Sequence, residues 1–155
     1  MRKIYTLQQL FKKNHRAGQK LASQAGPAGK TMGELAETVA VGYLREQGLS
    51  VITTNYRCRV GEIDIIANEQ QRLVFVEVRY RKSAHYGGGA ATVTPKKQRK
   101  LIKTANLYLQ QHRANVECRF DVIEMSAAKA SSKTSTASKP PAPAFHIHWI
   151  KNAFM

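Results

Sequence analysis

Two segments of the chain carry apolar residues at the spacing of an amphipathic helix. The first, GELAETVAVGYLREQG, predicts a helix over about residues 33 to 47. The second is predicted to begin at Thr94 and Pro95, because a cap residue followed by proline is typical of a helix start, and to end near Gln111 or His112. Its inward-facing positions repeat every three or four residues and are Leu101, Ala105, Tyr108 and Leu109.

Five short runs rich in β-branched and aromatic residues predict strands. LSVITTNY, VGEIDIIA and LVFVEVRYR follow one another closely, which favours an antiparallel meander. RFDVIEM and FHIHWI come after the second helix. The element order is therefore αβββαβ with an additional terminal strand, and it predicts an α/β fold in which helices flank a central mixed sheet.

The length of the chain predicts one domain with two polar segments. At 155 residues and 43% hydrophobic content, the chain can form one ordinary core, so we expect a single domain over residues 33–155. Residues 1–32 are basic and interrupted by glycines and a proline, which predicts a flexible arm. Residues 126–144 contain almost no large apolar side chains, so we predict a disordered loop within the domain.

The charge balance is strongly positive. Lys and Arg total 25 against 10 Asp and Glu, which gives a formal net charge of +15 and favours a polyanion as partner. No apolar run approaches the roughly 20 residues of a membrane-spanning helix, and the N-terminus lacks the apolar segment of a secretory signal. We therefore expect a cytoplasmic protein that binds nucleic acid rather than a membrane. Cys58 and Cys118 lack zinc-site spacing and are expected to be reduced.

Acidic residues are scarce, and two of them lie on adjacent predicted strands that are otherwise apolar. Asp64 lies in GEIDIIA, with Glu62 on the same strand face, and Glu77 lies in LVFVEVRYR. Burying ionised carboxylates is costly unless they are paired or bind metal, so their convergence would suit Mg²⁺ or Mn²⁺ and phosphodiester hydrolysis. Glu37, at helical spacing within the first helix, is a candidate third carboxylate. The alternative is ordinary ion pairing with nearby arginines, which are Arg57, Arg59, Arg79 and Arg81.

A basic stretch follows Glu77 and contains no acid before Glu117. Its Gly87–Gly88–Gly89 turn could let the backbone approach a phosphate. Because the cations directly follow the candidate metal ligands, we predict a phosphate-binding surface rather than a solvated loop and helix face, which is the alternative. The residues assigned to nucleic-acid binding are Arg81, Lys82, Lys96, Lys97, Arg99 and Lys100.

Three further features have simpler structural explanations. His146 and His148 lie two residues apart on a predicted strand and could ligate a metal, but a surface pair is favoured because no acid is nearby in sequence. Asp121 is explained by a salt bridge with Arg119 and is left out of the catalytic set. Tyr80 could stack on an unpaired base, and packing in the core is at least as well supported.

GEIDIIA, LVFVEVRYR, HYGGGAATVTPKKQRKL, CRFDVI and the closing WIKNAF together resemble the YraN family of predicted endonucleases. The resemblance covers residues 33 to 125 and the terminal strand. More distantly, the YraN family resembles archaeal Holliday-junction resolvases and the PD-(D/E)xK nuclease superfamily. The resemblance implies a restriction-endonuclease-like αβββαβ core, with Asp64 as the metal-binding Asp, Glu77 as the second acid and Glu37 as the helix-borne Glu.

One residue departs from the superfamily pattern. The Lys that the resemblance implies two residues after the second acid is Arg79 here. Arginine can stabilise phosphate charge but cannot become a neutral base. Activation of water would then rest on the metal, with Arg79 orienting the scissile phosphate or stabilising the transition state.

The residues and the resemblance together predict a divalent-metal-dependent endonuclease acting on DNA. Branched or single-stranded DNA is the substrate shape that the resemblance implies, and a homodimer would suit junction cutting. Two alternatives stay open. One is a nuclease-fold protein that has lost turnover and binds DNA or RNA; the other is a basic RNA- or ribosome-associated protein, since charge alone does not separate RNA from DNA.

Overall fold

The computed structural model describes residues 31–81, 93–128 and 144–155, which contain two helices and five strands. In chain order the elements are α1 (Met32–Glu46), β1 (Ser50–Cys58), β2 (Gly61–Glu69), β3 (Arg72–Arg81), α2 (Pro95–His112), β4 (Cys118–Ala127) and β5 (Phe145–Phe154). This order confirms the predicted αβββαβ arrangement with an additional terminal strand.

The five strands form one mixed sheet in the order β1-β2-β3-β4-β5. β1, β2 and β3 form the predicted antiparallel meander, and β5 runs antiparallel to β4. Among the described strands only β3 and β4 are parallel. A parallel pair needs a crossover connection, and the segment that contains α2 supplies it. β3 is therefore the central strand, with β2 and β4 on either side.

The core consists of two apolar layers, one on each face of the sheet. On one face, Phe75 of β3 packs in the same cluster as Tyr108 of α2. On the other face, Val74 and Val76 share a cluster with the buried stripe of α1, which is Ala36, Ala40 and Leu44. Successive residues of β3 thus face opposite helices, as expected for a strand covered on both sides. Glu77, two residues after Phe75, faces the α2 side.

Both helices begin close to the predicted positions because side chains satisfy their first backbone N–H groups. Thr31 caps α1 and forms a reciprocal capping box with Glu34. Thr94 accepts a hydrogen bond from the backbone N–H of Lys97 at 3.3 Å, and Pro95 is the first residue of α2. α1 begins and ends one residue earlier than predicted, and α2 ends at His112, as predicted.

The predicted loop at residues 126–144 starts two residues too early. Ser126 and Ala127 belong to β4 and pair with His146 and Phe145 of β5, because a strand partner stabilises backbone that apolar burial alone would not order. The remainder of that loop, except Ala128 and Ala144, lies outside the described residues. Other predicted features outside them are the arm up to residue 30, Lys82 and the Gly87–Gly88–Gly89 turn.

Candidate active site

β2 and β3 separate at the end of the sheet where both predicted acids lie. Their pairing ends at Ile65 and Val76. Beyond that pair, a carboxylate oxygen of Asp64 accepts a hydrogen bond from the backbone N–H of Val78 at 2.7 Å, in place of a strand-to-strand bond. β3 continues to pair with β4 past this point. The result is an opening between β2 and β3, called the fork below.

The fork interrupts the side-chain alternation of β2. Ile63 packs on the α2 side of the sheet, whereas Ile65, two residues later, packs on the α1 side. Residues two apart share a face in a regular strand, so the backbone changes direction at Asp64. The Asp64 side chain is directed toward β3. The prediction from strand alternation, that Asp64 shares a strand face with Glu62, assumed a regular strand. Glu62 instead forms an exposed ion pair with Arg57 at 3.2 Å.

Glu77 is almost completely buried, with only 5% of its surface exposed, on the α2 side of the fork. Its Oε1 lies 3.2 Å from Nζ of Lys97 and 3.7 Å from a guanidinium nitrogen of Arg79. Its Oε2 is buried and has no hydrogen-bond partner among the described residues. A buried, unsatisfied carboxylate oxygen is costly, and a bound cation would explain it.

The pKa of the Asp64 carboxyl is raised from 3.8 to about 7. Burial is the largest cause and the negative charge of Glu77 the next, with a further contribution from Glu37 on α1. The hydrogen bond from Val78 and the charge of Lys97 act in the opposite direction. The fold therefore brings Glu77 and Glu37 close enough to Asp64 for both negative charges to act on it, and a cation near Asp64 would relieve that repulsion.

These carboxylates suit a hard divalent cation that keeps part of its water shell. In the residues that the structure describes, no group of three or more His, Cys, Asp or Glu side chains is close enough to hold a metal by itself. Mg²⁺ is commonly held by one or two carboxylates, with waters and substrate phosphate oxygens completing its shell. Asp64 and the unsatisfied oxygen of Glu77 form such a partial set, with Glu37 beside it.

Ion pairs with arginines neutralise only some of the candidate carboxylates. Arg79 lies on the same face of β3 as Glu77 and approaches its Oε1. Arg57 binds Glu62 instead, and Asp64 has no ion-pair partner within the described ranges. The alternative of ordinary ion pairing thus explains Glu77 in part and leaves Asp64 unexplained.

Four of the other five predicted phosphate-binding residues are described, and all four are exposed. Lys96, Arg99 and Lys100 lie in the first two turns of α2, and Arg81 lies at the end of β3. Their side chains reach solvent, so they are available to an anion that approaches Lys97 from outside. This placement is compatible with the phosphate contacts predicted from the sequence.

Lys97 has a position that the sequence did not reveal. It was predicted only as one of six phosphate-binding cations, whereas the structure places its ammonium group against Glu77. One signal was present: Lys97 lies in the first turn of a helix, where the helix dipole disfavours cations, and no acid accompanies it there. An anionic partner from another element offsets that unfavourable interaction, and Glu77 is that partner.

Comparison with known protein families decides where this chain belongs. Residues 36–125 match the family described as "Uncharacterised protein family UPF0102". The chain belongs to UPF0102. UPF0102 is the YraN family, so the resemblance found in the sequence is confirmed at the family level. The matched region includes Glu37, Asp64, Glu77 and Lys97 and ends before β5.

Individual relatives support the same assignment. This UPF0102 chain is 47% identical over 120 residues to a UPF0102 protein of Coxiella burnetii (strain RSA 331 / Henzerling II), covering 76% of this chain and 87% of the relative. It is 46% identical over 127 residues to one from Psychromonas ingrahamii, covering 82% and 92%. A UPF0102 protein of Herminiimonas arsenicoxydans is 40% identical over 126 residues, covering 81% and 88%. These names state a family and no activity.

Other candidate residues of this UPF0102 protein have structural explanations. Asp121 is buried and accepts a hydrogen bond from Nε of Arg119 at 2.9 Å, which confirms the predicted salt bridge. His146 and His148 are exposed on β5, as a surface pair would be. Tyr80 packs in the apolar layer on the α1 side. Neither described helix is both long and apolar enough to cross a membrane.

Proposed function

We propose that this UPF0102 protein is a divalent-metal-dependent endonuclease that hydrolyses phosphodiester bonds in DNA, with Mg²⁺ or Mn²⁺ as its cofactor. The observation that carries the proposal is the pair Asp64 and Glu77 at the fork. Burial and repulsion raise the pKa of Asp64 to about 7, and one oxygen of Glu77 has no hydrogen-bond partner in the part of the chain that the structure describes. Such an arrangement lowers the stability of the fold, and the need to bind a cation accounts for it.

The carboxylates of Asp64 and Glu77 would hold the ion, with Glu37 acting on the site from α1. Asp64 and Oε2 of Glu77 would be its protein ligands, and Glu37 would add negative charge from α1. When bound, the ion would lower the pKa of a water molecule and neutralise charge that develops on the phosphate. The backbone N–H of Val78 keeps Asp64 oriented toward β3, so the ligand does not depend on a flexible side chain alone.

Lys97 and Arg79 would supply the positive charge that phosphoryl chemistry needs. Both lie beside Oε1 of Glu77, so a phosphate entering the fork would come within reach of both. Donors fixed at such a position stabilise the charge that grows in the transition state. Arg79 occupies the position two residues after Glu77 where a lysine was expected, and arginine stays protonated. Lys97 of α2 places a lysine next to the same acids. The departure at Arg79 is therefore compensated from α2.

Cleavage assays on the full chain test this function. We expect Mg²⁺- or Mn²⁺-dependent cleavage of linear duplex, single-stranded or four-way-junction DNA, abolished by EDTA. Asp64→Ala and Glu77→Ala should each reduce the rate by about 100-fold or more. Glu117→Ala, which removes an exposed acid far from the fork, is the matched control and should cleave as the wild type does. Cleavage that survives both substitutions at the fork would refute the proposal.

The substrate shape and the assembly state are part of the same proposal. Resemblance to junction resolvases favours branched or single-stranded DNA and a two-fold homodimer, because two symmetric sites can cut opposite strands. Relative cleavage rates on the three DNA substrates measure the preferred substrate shape. The solution mass of the protein with and without junction DNA measures the assembly state. A monomer on the junction would exclude paired cutting by one dimer.

Nucleic-acid binding without turnover is a second candidate function. It is favoured by the ion pairs of Glu77, since Lys97 and Arg79 neutralise this carboxylate without a metal. In that case the full chain would bind DNA or RNA and cleave neither, and Asp64→Ala would leave binding unchanged. Including RNA in the binding and cleavage assays separates the two nucleic acids.

A further inference from the structure

Two adjoining clefts lie along α2, beginning at Lys97. The larger has a volume of about 560 Å³ and lies between the first half of α2 and the turn that joins β1 to β2. The smaller, about 230 Å³, continues beside the following turns of the helix. Arg59 and Val60 line both clefts, so the two clefts adjoin; together they are called the α2 groove below. Its helical side is lined by Lys97, Lys100, Lys103, Asn106, Leu107 and Gln110.

The turn between β1 and β2 is held tightly against α2, so the walls of the groove have a fixed spacing. A Cβ atom on Gly61 would lie 2.9 Å from Oγ1 of Thr104 and 3.9 Å from Cβ of Lys100. Glycine permits this approach because it has no side chain. Thr104 is fully buried and donates to the carbonyl oxygen of Lys100, so the helix cannot readily yield at this point.

Most of the positive charge in the α2 groove has no acidic partner. Of the described residues that line it, Glu62 is the only one with a carboxylate, and it binds Arg57. Within the described residues, Arg59, Lys100 and Lys103 form no ion pair. A cleft at the opposite end of the sheet differs, because its cations all bind acids; they are Arg72, Arg119 and Lys151. The α2 groove therefore offers cations to an external anion.

We propose that the α2 groove binds the sugar-phosphate backbone of a duplex DNA arm and leads it to the fork. The inference rests on the proposed function, because Lys97 belongs to both the groove and the candidate site. The stripe from Lys97 to Gln110 is about 20 Å long at 1.5 Å per residue, which is too long for one phosphate and suits several in succession.

The lining of the α2 groove also indicates which part of the nucleic acid it contacts. Among the described residues, the lining of the groove includes no aromatic ring that could stack on an unpaired base. Cations and amide side chains, here Asn106 and Gln110, are the groups that bind phosphate and sugar without reading sequence. Binding in the groove should therefore depend on backbone charge and not on base identity.

The salt dependence of binding tests the groove separately from catalysis. The full chain, Arg59→Ala and Lys103→Ala are titrated in EDTA with fluorescent duplex DNA of mixed sequence. The logarithm of the binding constant falls with the logarithm of the salt concentration, and each substitution should make this slope about one unit less steep. Each should also weaken binding several-fold at low salt. Arg45→Ala is the matched control, because Arg45 is exposed on α1, on the other face of the sheet.

Three outcomes would overturn the groove proposal. The first is a slope change no larger than that of Arg45→Ala. The second is weaker binding of single-stranded DNA with unchanged duplex binding, and the third is lost binding to phosphatidylserine vesicles with unchanged DNA binding. Because EDTA prevents metal-dependent cleavage, these binding measurements do not depend on whether the protein is a nuclease. Conversely, a negative result for the groove would not bear on the proposed metal site at Asp64 and Glu77.

The two cysteines provide an internal readout on the unmodified chain. Both are free; Cys58 lines the α2 groove, and Cys118 is exposed in the cleft at the opposite end of the sheet. Duplex DNA should slow alkylation of Cys58 by iodoacetamide several-fold and leave that of Cys118 unchanged. Equal protection of both cysteines, or of neither, would contradict binding in the groove.

Discussion

The stability contribution of Asp64 depends on pH. Folding raises the pKa of its carboxyl from 3.8 to about 7, first by burial and then by the charge of Glu77. The protonated form is therefore favoured in the fold. The stability that this group contributes is complete below about pH 4 and is lost as the pH rises through 7. Above that pH, without metal, the ionised carboxylate destabilises the fold by roughly 2–4 kcal/mol.

Asp64→Asn should consequently stabilise the metal-free protein at high pH. A neutral amide avoids the repulsion and can still accept the hydrogen bond from Val78, so we expect a gain of roughly 2–4 kcal/mol at pH 8 in EDTA and none near pH 4. Urea unfolding at a series of pH values measures it. Mg²⁺ should stabilise the wild type at pH 8 but not the variant. Glu62→Gln, at an exposed acid on the same strand, is the control; a less stable Asp64→Asn at pH 8 would contradict the assignment.

Lys97 and Arg79 contact the same oxygen of Glu77 from different elements, so substitutions can separate their roles. We expect Lys97→Ala to lower kcat by about 10²–10³-fold, as loss of a transition-state donor does, and Arg79→Lys to retain most of the activity. Steady-state kcat and KM on the best DNA substrate are the measurement. Lys96→Ala, at the neighbouring exposed cation, should change KM more than kcat. A loss of kcat in Lys97→Ala no larger than in Lys96→Ala would exclude the catalytic role.

At the scale of residues, the sequence predicted which acids meet but not how. Asp64 was predicted to lie close to Glu77 only because the two residues are on consecutive strands, and consecutive strands of a meander pair. The change of direction at Asp64 was not predictable, since a two-residue alternation assumes a regular strand. Lys97 was assigned to phosphate binding alone because its contact with Glu77 joins elements that are distant in sequence.

At the scale of elements, local signals specified the helices, and pairing decided the strand ends. Thr94 followed by Pro95 predicted the start of α2, because the cap and the proline act within one turn. The end of β4 was missed because Ser126 and Ala127 are ordered by β5, which lies beyond a long polar segment. Local propensity contains no information about such a partner.

Two glycines on different elements should respond oppositely to the same substitution. Gly42 lies within α1 with open space around its Cβ position, so Gly42→Ala should stabilise the fold by about 0.5–1 kcal/mol. Gly61→Ala should destabilise it by about 1–3 kcal/mol, because the new methyl group meets Thr104. Urea unfolding gives both values. In the Thr104→Ala background the Gly61→Ala penalty should shrink, and an undiminished penalty would show that contact with Thr104 is not the cause.

At the scale of the whole molecule, the two sides of β3 treat buried charge differently. Between β4 and β5, Asp121 is fully buried, and its carboxylate accepts from Arg119, from Nε1 of Trp149 at 3.0 Å and from the backbone N–H of Asn152 at 2.9 Å. Arg119 also donates to Glu69. The buried charge of Asp121 is neutralised by the chain itself, and its bonds fasten β5 to β4, whereas charge at the fork is balanced only in part by the described residues.

The same chemical change at Asp121 and at Asp64 should therefore have opposite effects on stability. Asp121→Asn leaves buried Arg119 with only Glu69 as acidic partner, so we expect a loss of about 3 kcal/mol or more, measured by urea unfolding at pH 8 in EDTA. Asp64→Asn under identical conditions should gain stability. If both variants were destabilised alike, Asp64 would be an ordinary structural acid. Opposite stability changes would mean that the fold tolerates a destabilising buried charge at Asp64 but not at Asp121. This is expected where a bound ligand completes the charge balance.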